Sequence, residues 1–595
     1  MRVIHGPGGP LPAIPDDLTI PQFMLDVEHP SRPKTDKNRP WMIEEATGRE
    51  VGEEELYFAM TQRVVRVFSL DYLLRSRTDS LANALKIRWN IGDEDVVCVF
   101  SSNHVDYPVI VWAVHRLGAI VSTANPSYTH DELVHQLKTT GTKLIFAHST
   151  GLAVAEAAAR TVGLTPERIV LVDSLPSGKA SYADIPQLIQ QGSKTPKSYT
   201  ERKLKPGEGK TKIAFLNFSS GTTGLPKAVM IPHYAQIANI IQCTVWAETD
   251  TKPWEDRSFR PGRTIYAALP LYHAYGLAFI MHFGFFLGMP LVISQKFVFT
   301  DMLKSIERYR ITNLPAVPPM AVLFVKHPDV KKYDLSSIKS FMVGAAPVSP
   351  ELQSALANVF PQATIGQGFG MTETFTIVAL QRLDQKVGTL GSAGVLIPGV
   401  EARVVRPDGT DCAPDEPGQF VVKMPSLAQG YLNNEQANKE TFVDGWLNTG
   451  DEVIINDQGE LFVIDRIKEL LKVRGFQVAP AELEGFLLDH PDVSDVCVVS
   501  LIDDFNGDLP LAFVVPTASA KERMSKDPAE AEKIKAAIVK YVADGKIYYK
   551  QLTGGVEFID AIPRNPSGKL LRRFLRDKAR STRQKAKVSG AKAKL

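Results

Sequence analysis

Cysteine is scarce in this sequence, with four residues among 595, at positions 98, 243, 412 and 497. Their spacing fits neither a disulfide framework nor a cysteine-based zinc site, which favours a reduced intracellular protein. The net charge is also close to zero, because the sequence has 68 basic and 66 acidic residues. A balance of this kind gives no electrostatic reason to expect a nucleic acid or a membrane surface as a partner.

Long hydrophobic runs are also few. The N-terminal stretch MRVIHGPGGPLPAIPDD lacks the apolar run of a signal peptide. One segment that a hydropathy window would select, residues 275–294, contains His282, three glycines and Pro290, and basic clusters do not flank it asymmetrically. We therefore expect a buried helix that runs into a strand there, and no membrane span.

The chain is longer than one hydrophobic core normally organises, so its length predicts at least two domains. From about residue 95, short apolar runs such as DVVCVF, KLIFAH and RIVLVD alternate with amphipathic stretches. This alternation indicates right-handed crossovers and a largely parallel sheet. After about residue 388 the pattern changes to short strands separated by glycine turns, which is typical of an antiparallel or barrel-like region.

The predicted fold class is therefore α/β. We expect a large N-terminal domain of parallel-rich sheets with helices and a β-barrel-like region, followed by a small, mobile C-terminal α/β domain. The predicted boundaries are 1–465 for the N-terminal domain, 466–468 for a hinge, 469–578 for the C-terminal lid domain and 579–595 for a basic, disordered tail.

A polar loop, SSGTTGLPK (219–227), follows the apolar run KIAFLNF. Glycines let backbone N–H groups approach an anion, hydroxyls add donors and a lysine adds charge, which together suit a phosphate. The spacing is not that of a Walker A loop, because leucine and proline separate the second glycine from the lysine. The candidate phosphate-binding residues are Ser219, Ser220, Gly221, Thr222, Thr223, Gly224 and Lys227.

Further motifs follow this loop in a fixed order. They are LPLYHAYGL (269–277), GAAPVS (344–349), GQGFGMTET (366–374), GWLNTGD (445–451), DRIKELLKVRGFQVAPAELE (465–484) and PRNPSGKLLRR (563–573). With the loop, they resemble the motifs of the acyl-adenylate-forming superfamily, which includes acyl-CoA synthetases, 4-coumarate–CoA ligases, firefly luciferases and peptide-synthetase adenylation domains. The resemblance covers about residues 90–575, and the last two motifs are most similar to the 4-coumarate–CoA ligase branch.

The motif GQGFGMTE offers an amide, an aromatic ring, a hydroxyl and a carboxylate, and its glycine spacing does not fit a dinucleotide fingerprint. The resemblance implies that Gln367, Gly368 and Phe369 line the adenine of ATP, that Thr372 reaches the α-phosphate and that Glu373 holds Mg²⁺. A hard cation bound to phosphates prefers such a carboxylate together with water. The nucleotide-binding residues implied elsewhere are Ala345, Asp451 and Arg466, the last two at the ribose hydroxyls.

The lysine of NPSGK, Lys569, has the position that in the superfamily bridges the substrate carboxylate and the α-phosphate. Two anions must meet there, and the transition state gathers negative charge. By the same resemblance, Lys468 is the hinge about which the C-terminal domain rotates before CoA enters. The residues implied near CoA and the acyl-adenylate are Lys296, Lys472, Arg474 and Gly475.

His273 stands near the position where peptide-synthetase domains carry an aspartate for the substrate amine, so we expect an acid without an α-amine. No carrier-protein domain follows, which favours CoA as the free thiol. The predicted acyl pocket comprises His273, Ala274, Tyr275, Ala278, Phe279, Gly344, Pro347 and Val348. Relative to plant coumarate ligases the two alanines and the phenylalanine reshape this pocket, which leaves aryl, arylacetic and medium-chain fatty acids open.

The sequence thus predicts an ATP- and Mg²⁺-dependent acid–CoA ligase that forms an acyl-AMP and then a thioester. Its expected catalytic residues are Lys569, Thr372, Glu373 and His273. The alternatives are a stand-alone adenylation enzyme that loads a carrier protein, a nucleotide-binding member without turnover, and a luciferase-like oxygenase. The C-terminal Ala593, Lys594 and Leu595 resemble a peroxisomal import signal, so we expect peroxisomal localisation, and cytoplasmic localisation otherwise.

Overall fold

The computed structural model describes residues 2–34, 40–48, 70–173, 182–219, 226–474, 476–503, 507–564 and 569–581. Three predictions concern residues outside these ranges: the centre of the phosphate loop (Ser220, Gly221, Thr222, Thr223 and Gly224), the CoA contact of Gly475, and the tail with its terminal tripeptide. They stay predictions.

The first large sheet has eight strands. Its strands, from one edge to the other, are Gly430–Tyr431, Lys227–Pro232, Ile213–Ser219, Ile120–Ala124, Val96–Phe100, Leu144–Ala147, Ile169–Leu171 and Ala183–Asp184. The strands from Ile213–Ser219 to Ala183–Asp184 are parallel, and the other two are antiparallel. Val96–Phe100 is buried along its whole length, as expected for a parallel strand covered on both faces.

The second large sheet also has eight strands and carries the later motifs. In spatial order they are Val395–Leu396, Thr376–Leu380, Thr364–Met371, Ser340–Val343, Asn313–Ala316, Ile265–Ala267, Leu291–Ile293 and Met42–Glu44. The first three are antiparallel to one another, and the rest of the sheet is parallel. The predicted parallel-rich architecture is therefore confirmed.

The region after residue 388 forms the predicted antiparallel sheet together with one N-terminal strand. Its six strands are Ile4–His5, Glu401–Val405, Gly418–Lys423, Trp446–Ile455, Phe442–Val443 and Leu461–Arg466. The C-terminal α/β domain is built on a separate sheet of five strands: Phe476–Val478, Leu471–Val473, Gly507–Pro516, Val493–Asp503 and Gly555–Phe558.

Helices cover the sheets. Those in the N-terminal domain are Gln22–Asp26, Leu70–Trp89, Tyr107–Arg116, His130–Thr140, Leu152–Thr161, Ile185–Lys194, His233–Glu248, Tyr275–Phe283, Phe299–Tyr309, Pro318–Lys326, Pro350–Val359 and Glu435–Thr441. Those in the C-terminal domain are Pro480–Leu488, Ala518–Lys526, Ala529–Gly545 and 572–581. Residues 579–581, predicted to belong to the disordered tail, are part of the last of these helices, and Ala579 is buried.

The two largest hydrophobic clusters among the described residues are separated along the chain. The larger contains residues from Ile20 to Leu461, and the core of the C-terminal domain begins at Leu471 and continues to Val556. The chain therefore passes from one core to the other through the segment in which the hinge was predicted.

The apolar segment 275–294 forms a buried helix followed by a strand, as predicted. A π-helical stretch, Tyr275–Phe283, continues into Gly284–Phe286, and Leu291–Ile293 then joins the second sheet. Across the part of the chain that the structure describes, none of the helices combines the length and apolarity needed to cross a bilayer.

Candidate active site

The phosphate loop connects two antiparallel strands of the first sheet. Ile213–Ser219 leads into it and Lys227–Pro232 leads out, and Ser219 lies opposite Lys227 at the mouth of this hairpin. The loop thus leaves the carboxyl end of a strand that is parallel to its other neighbour, the edge at which open α/β sheets bind ligands. The Nζ of Lys227 lies 4.4 Å from the ring centre of Tyr431.

Tyr431 also contacts the predicted metal ligand. Its hydroxyl donates to Oε1 of Glu373 at 2.8 Å, and both side chains are buried. Burial, and then the Glu373 carboxylate, raise the pKa of Tyr431, so the phenol keeps the proton that it donates. Because the strand Gly430–Tyr431 pairs with Lys227–Pro232, one residue joins the phosphate hairpin to Glu373.

Glu373 lies in a strained turn. The two residues at the end of this turn have positive φ angles, 40° at Phe375 and 113° at Thr376. A β-branched residue in that region costs about 1–3 kcal/mol, and such strain persists only where surrounding contacts impose it. Here Thr374 donates to the Thr376 carbonyl, and Thr376 donates to the carbonyl of Ala274.

Asp451 and Arg466 form an ion pair on neighbouring antiparallel strands, with 2.8 Å between Oδ1 and Nε. Burial raises the pKa of Asp451, and the neighbouring Arg466 and Lys569 oppose that rise. Its second carboxylate oxygen is buried without a hydrogen-bond partner among the described residues. That oxygen fits the predicted role of accepting a hydrogen bond from a ribose hydroxyl.

Lys569 comes from the C-terminal domain and lies among these groups. Burial, and then the Arg466 guanidinium, lower the pKa of Lys569, while the carboxylates of Glu373 and Asp451 oppose that shift. Lys569 also acts on His273, whose pKa falls to about 3, mainly through burial. Electrostatic interactions therefore connect Lys569 to Glu373, Asp451, Arg466 and His273.

The residues predicted for the adenine and the acyl group lie on the adjoining part of the second sheet. The Gln367 amide accepts from Val348 N–H at 2.9 Å and donates to Val348 O at 3.2 Å, so it holds the loop 344–349. In that loop Ala345 has a φ of 71°. Half-buried Phe369 packs edge-on against Phe420. Gly368 and Thr372, which lie close to Phe369 in the sequence, are also half-buried.

The predicted acyl residues divide into two groups. Tyr275 approaches Gly344 so closely that a Cβ there would lie 3.1 Å from the ring, and its hydroxyl donates to Met342 O. Phe279 instead packs in the core, 4.9 Å from Phe283 between ring centres. Of the other predicted residues, Ala274, Ala278 and Val348 are buried and Pro347 is exposed.

The predicted CoA and hinge residues lie on the surface. Lys296, Lys468, Lys472 and Arg474 are all exposed, the last two on the hairpin formed by Leu471–Val473 and Phe476–Val478. Asp451 interacts electrostatically with Lys569, which belongs to the same C-terminal domain as this hairpin.

Comparisons with known proteins identify the family. The AMP-binding enzyme family model matches residues 73–432, and the AMP-binding enzyme C-terminal domain model matches residues 482–569. The chain belongs to the AMP-binding enzyme family. Its relatives place this AMP-binding enzyme among the AMP-forming acid–CoA ligases. It is 33% identical to 4-coumarate–CoA ligase 1 of Solanum tuberosum over 82% of this chain and 84% of that protein. It is 36% identical to 4-coumarate–CoA ligase 2 of Oryza sativa subsp. japonica, with the same coverage.

Solved structures match the AMP-binding enzyme along nearly its whole length. The anthranilate CoA ligase AuaEII in complex with anthranoyl-AMP superposes with a TM-score of 0.77 at 21% identity, covering 96% of this chain and 99% of that one. ATP-bound MatB from Rhodopseudomonas palustris gives a TM-score of 0.76 at 23% identity, covering 94% and 99%. At these identities the likeness shows the fold alone.

Sequence reasoning missed Tyr431 in the AMP-binding enzyme. It lies in the stretch GYLNN, which carries no charge, and its partners Glu373 and Lys227 are 58 and 204 positions away. The pairing of Gly430–Tyr431 with the phosphate hairpin could have pointed to it, but strand pairing over that distance has no local pattern.

Proposed function

We propose that this enzyme is a 4-coumarate–CoA ligase-like, AMP-forming ligase that takes an aryl, arylacetic or medium-chain carboxylic acid. The observation that carries the proposal is the ion pair of Asp451 and Arg466, with 2.8 Å between Oδ1 and Nε, whose charges act on Lys569 of the C-terminal domain. That cluster offers a carboxylate oxygen for a ribose and a lysine where two anions must meet.

The reaction has two steps. A carboxylate oxygen of the acid attacks the α-phosphorus of ATP, the bond to the β-phosphate oxygen breaks, and pyrophosphate leaves. The CoA thiol then loses its proton and attacks the acyl carbon, and AMP leaves with the electrons of the broken C–O bond. Lys569 contributes to the first step by offsetting the negative charge that gathers at the α-phosphate.

Magnesium fits this site through Glu373. Among the described residues there is no group of three or more His, Cys, Asp or Glu side chains that would hold a metal ion. Mg²⁺ suits a site with one carboxylate because phosphate oxygens and water complete its coordination. Bound there, it would neutralise phosphate charge, while Tyr431 orients the carboxylate.

The acid class follows from the acyl side of the site. His273 is neutral at physiological pH, because burial and Lys569 lower its pKa to about 3. Its nearest neighbours in the chain, Ala274 and Tyr275, are buried and carry no charge. A neutral lining favours a neutral acyl chain or ring over an acid with a second charged group.

The test is release of AMP and pyrophosphate by the purified protein with ATP, Mg²⁺ and CoA. The acid panel contains coumarate, benzoate, phenylacetate and C6 to C12 fatty acids. AMP release that depends on CoA and on one acid class supports the proposal and identifies the pocket chemistry. Pyrophosphate release without CoA dependence would instead indicate a carrier-loading or oxygenating enzyme, and absence of turnover with every acid would contradict the proposed acid range.

A further inference from the structure

The helix Pro480–Leu488, which we call the docking helix, belongs to the C-terminal domain and lacks a side-chain cap of its own at its start. The missing acceptor comes from the N-terminal domain: Oδ2 of Asp465 accepts from the N–H of Ala481 at 3.1 Å. Asp465 is buried and lies on the strand Leu461–Arg466. A carboxylate at a helix N-terminus satisfies an unpaired donor and interacts favourably with the helix dipole.

The other end of the docking helix is held by a charge of the opposite sign. Nζ of Lys326 donates to the carbonyl of Leu488 at 2.9 Å and to that of Val493 at 3.2 Å. Lys326 is the last residue of the helix Pro318–Lys326 in the N-terminal domain. A cation at a helix C-terminus is favourable for the same reason as an anion at its N-terminus.

Between its two ends the docking helix touches the N-terminal domain directly. A Cβ built on Gly485 would lie 3.2 Å from Cβ of Ser349, so glycine allows a close approach at this point. Ser349 follows the predicted acyl-pocket loop and begins the helix Pro350–Val359. The N-terminal domain therefore contacts the docking helix at its start, middle and end.

A buried ion pair connects the docking helix to Lys569. Arg572, three positions after Lys569, donates through Nη2 to Oε2 of Glu484 on the docking helix at 2.6 Å. It also pairs with Glu469, directly after the predicted hinge residue. Displacement of the docking helix would therefore move the segment that carries Lys569.

We propose that Lys326 and Asp465 are positioning residues for Lys569. By holding the docking helix at opposite ends, they keep the C-terminal domain in the arrangement that places Lys569 beside Asp451. The inference rests on the proposed function, in which Lys569 serves the adenylation step. Thioester formation, the second step, does not depend on this arrangement.

The first experiment measures the two half-reactions separately in Lys326→Met. The matched control is Lys304→Met, which changes an exposed lysine on the helix Phe299–Tyr309 of the same domain. We expect ATP–pyrophosphate exchange to fall roughly three- to tenfold in Lys326→Met, the size of effect that one or two hydrogen bonds supply. Thioester formation from supplied acyl-adenylate and CoA should stay within twofold, about the level of a neutral surface change. In a Lys569→Ala background, Lys326→Met should cause no further loss of exchange activity, because the lysine that Lys326 positions has been removed.

Asp465→Asn provides the second variant at the opposite end of the docking helix, where the loss should again fall on the exchange reaction. Equal losses in both half-reactions, or full additivity with Lys569→Ala, would show a general structural role and overturn the proposal.

A second experiment measures docking without turnover. The pair Ser349→Cys and Gly485→Cys has a Cβ separation close to that of a disulfide, and the four native cysteines are buried. In glutathione buffers, Lys326→Met should lower the equilibrium constant for forming this disulfide roughly three- to tenfold, and Lys304→Met should leave it unchanged. If the enzyme turns over one of the acids, formation of this disulfide should restore the exchange activity that Lys326→Met has lost.

The disulfide measurement tests the docking contact, and the activity measurement tests the proposed function, so each can be contradicted without the other. An unchanged disulfide equilibrium in Lys326→Met overturns the inference, whatever the activity. A lowered equilibrium in a protein that turns over no acid supports the docking contact and counts against the proposed function instead.

Discussion

At the scale of single residues, substitution of Lys569 is expected to reduce activity most. Lys569 is a half-buried cation whose repulsion by Arg466 is offset by the carboxylates of Glu373, Asp451 and Glu469. The arrangement leaves positive charge available where an anionic substrate and a phosphate must meet.

Lys569→Ala should therefore reduce ATP–pyrophosphate exchange about a hundredfold or more, since removal of one group that stabilises transition-state charge costs roughly 3 kcal/mol. Thioester formation from a supplied acyl-adenylate should fall far less. Rapid-quench assays of the two half-reactions measure both, with Lys578→Ala, on the helix 572–581, as a control. Equal losses in the two half-reactions would contradict the assignment of Lys569 to the adenylation step.

Tyr431 is the residue that joins Glu373 to the phosphate hairpin. Tyr431→Phe removes the hydroxyl that donates to Glu373. We expect the Mg²⁺ concentration needed for half-maximal ATP binding to rise about tenfold, because a hydrogen bond to a charged group contributes roughly 1.5–3 kcal/mol. Titration calorimetry with ATP at several Mg²⁺ concentrations measures this without turnover.

The matched control for that variant is Tyr266→Phe. Tyr266 is also buried and donates to a carboxylate, Oε1 of Glu45 at 2.7 Å, but in a different part of the second sheet. The Tyr266→Phe variant should lose about as much folding stability as Tyr431→Phe, but its affinity for ATP should be unchanged. If both variants weakened ATP binding alike, Tyr431 would have no special role.

At the scale of secondary-structure elements, local chemistry determines where helices begin and end. The helix His130–Thr140 begins with a capping box in which Thr129 and Glu132 satisfy each other's backbone N–H groups. It ends at Gly141, whose φ is 63° and whose N–H bonds to the last turn. Both features are visible in the sequence as T-x-x-E and a closing glycine.

Gly141→Ala should lower the free energy of unfolding by about 1 kcal/mol, because a side chain in the left-handed region is strained even in open space. Among the residues that the structure describes, no atom of a non-neighbouring residue lies within 4 Å of the added Cβ, so the loss reports backbone strain. Gly92→Ala is the control, since Gly92 has an ordinary φ and its Cβ would meet only side-chain and backbone atoms at 3.5 Å or more. Urea unfolding curves compare the two, and equal losses would contradict the explanation.

At the scale of the whole molecule, histidines buried between the first two sheets couple stability to pH. Burial lowers the pKa of His115 to about 3 and that of His282 to about 4. His282 accepts from the Trp112 indole at 3.1 Å and donates to Leu277 O at 2.7 Å, so it is neutral in the folded protein. In the unfolded chain it takes up a proton below pH about 6.5.

The unfolded state therefore binds more protons than the folded state below that pH, and stability is lost as the pH falls from about 6.5 toward 4. Between pH 7.5 and 5.5, His282 should account for a loss of about 1 kcal/mol. In His282→Gln, which keeps an acceptor for Trp112, the fall in the free energy of unfolding over this range should be smaller by that amount. An unchanged pH dependence in denaturant titrations would exclude His282 as a source.

Much of the fold was predictable because it depends on local patterns. The buried strand Val96–Phe100 and the buried helix followed by a strand in residues 275–294 occur as predicted. The pairings of Ile4–His5 and Met42–Glu44 with strands hundreds of residues away were not predictable. Such short segments carry little periodicity, and their position depends on a sheet edge that forms only when the rest of the chain has folded.

The sequence by itself determined the fold class, the family and the chemical types of residue at the site, because these reside in local periodicity and in contiguous motifs. Only the tertiary structure decided which distant residues meet. It placed Tyr431 against Glu373, left one Asp451 oxygen without a partner among the described residues, and set Lys326 and Asp465 at opposite ends of the docking helix. The first two of these features depend on strand pairing within the N-terminal domain and the third on contacts between the two domains, and no local pattern in the chain specifies that geometry.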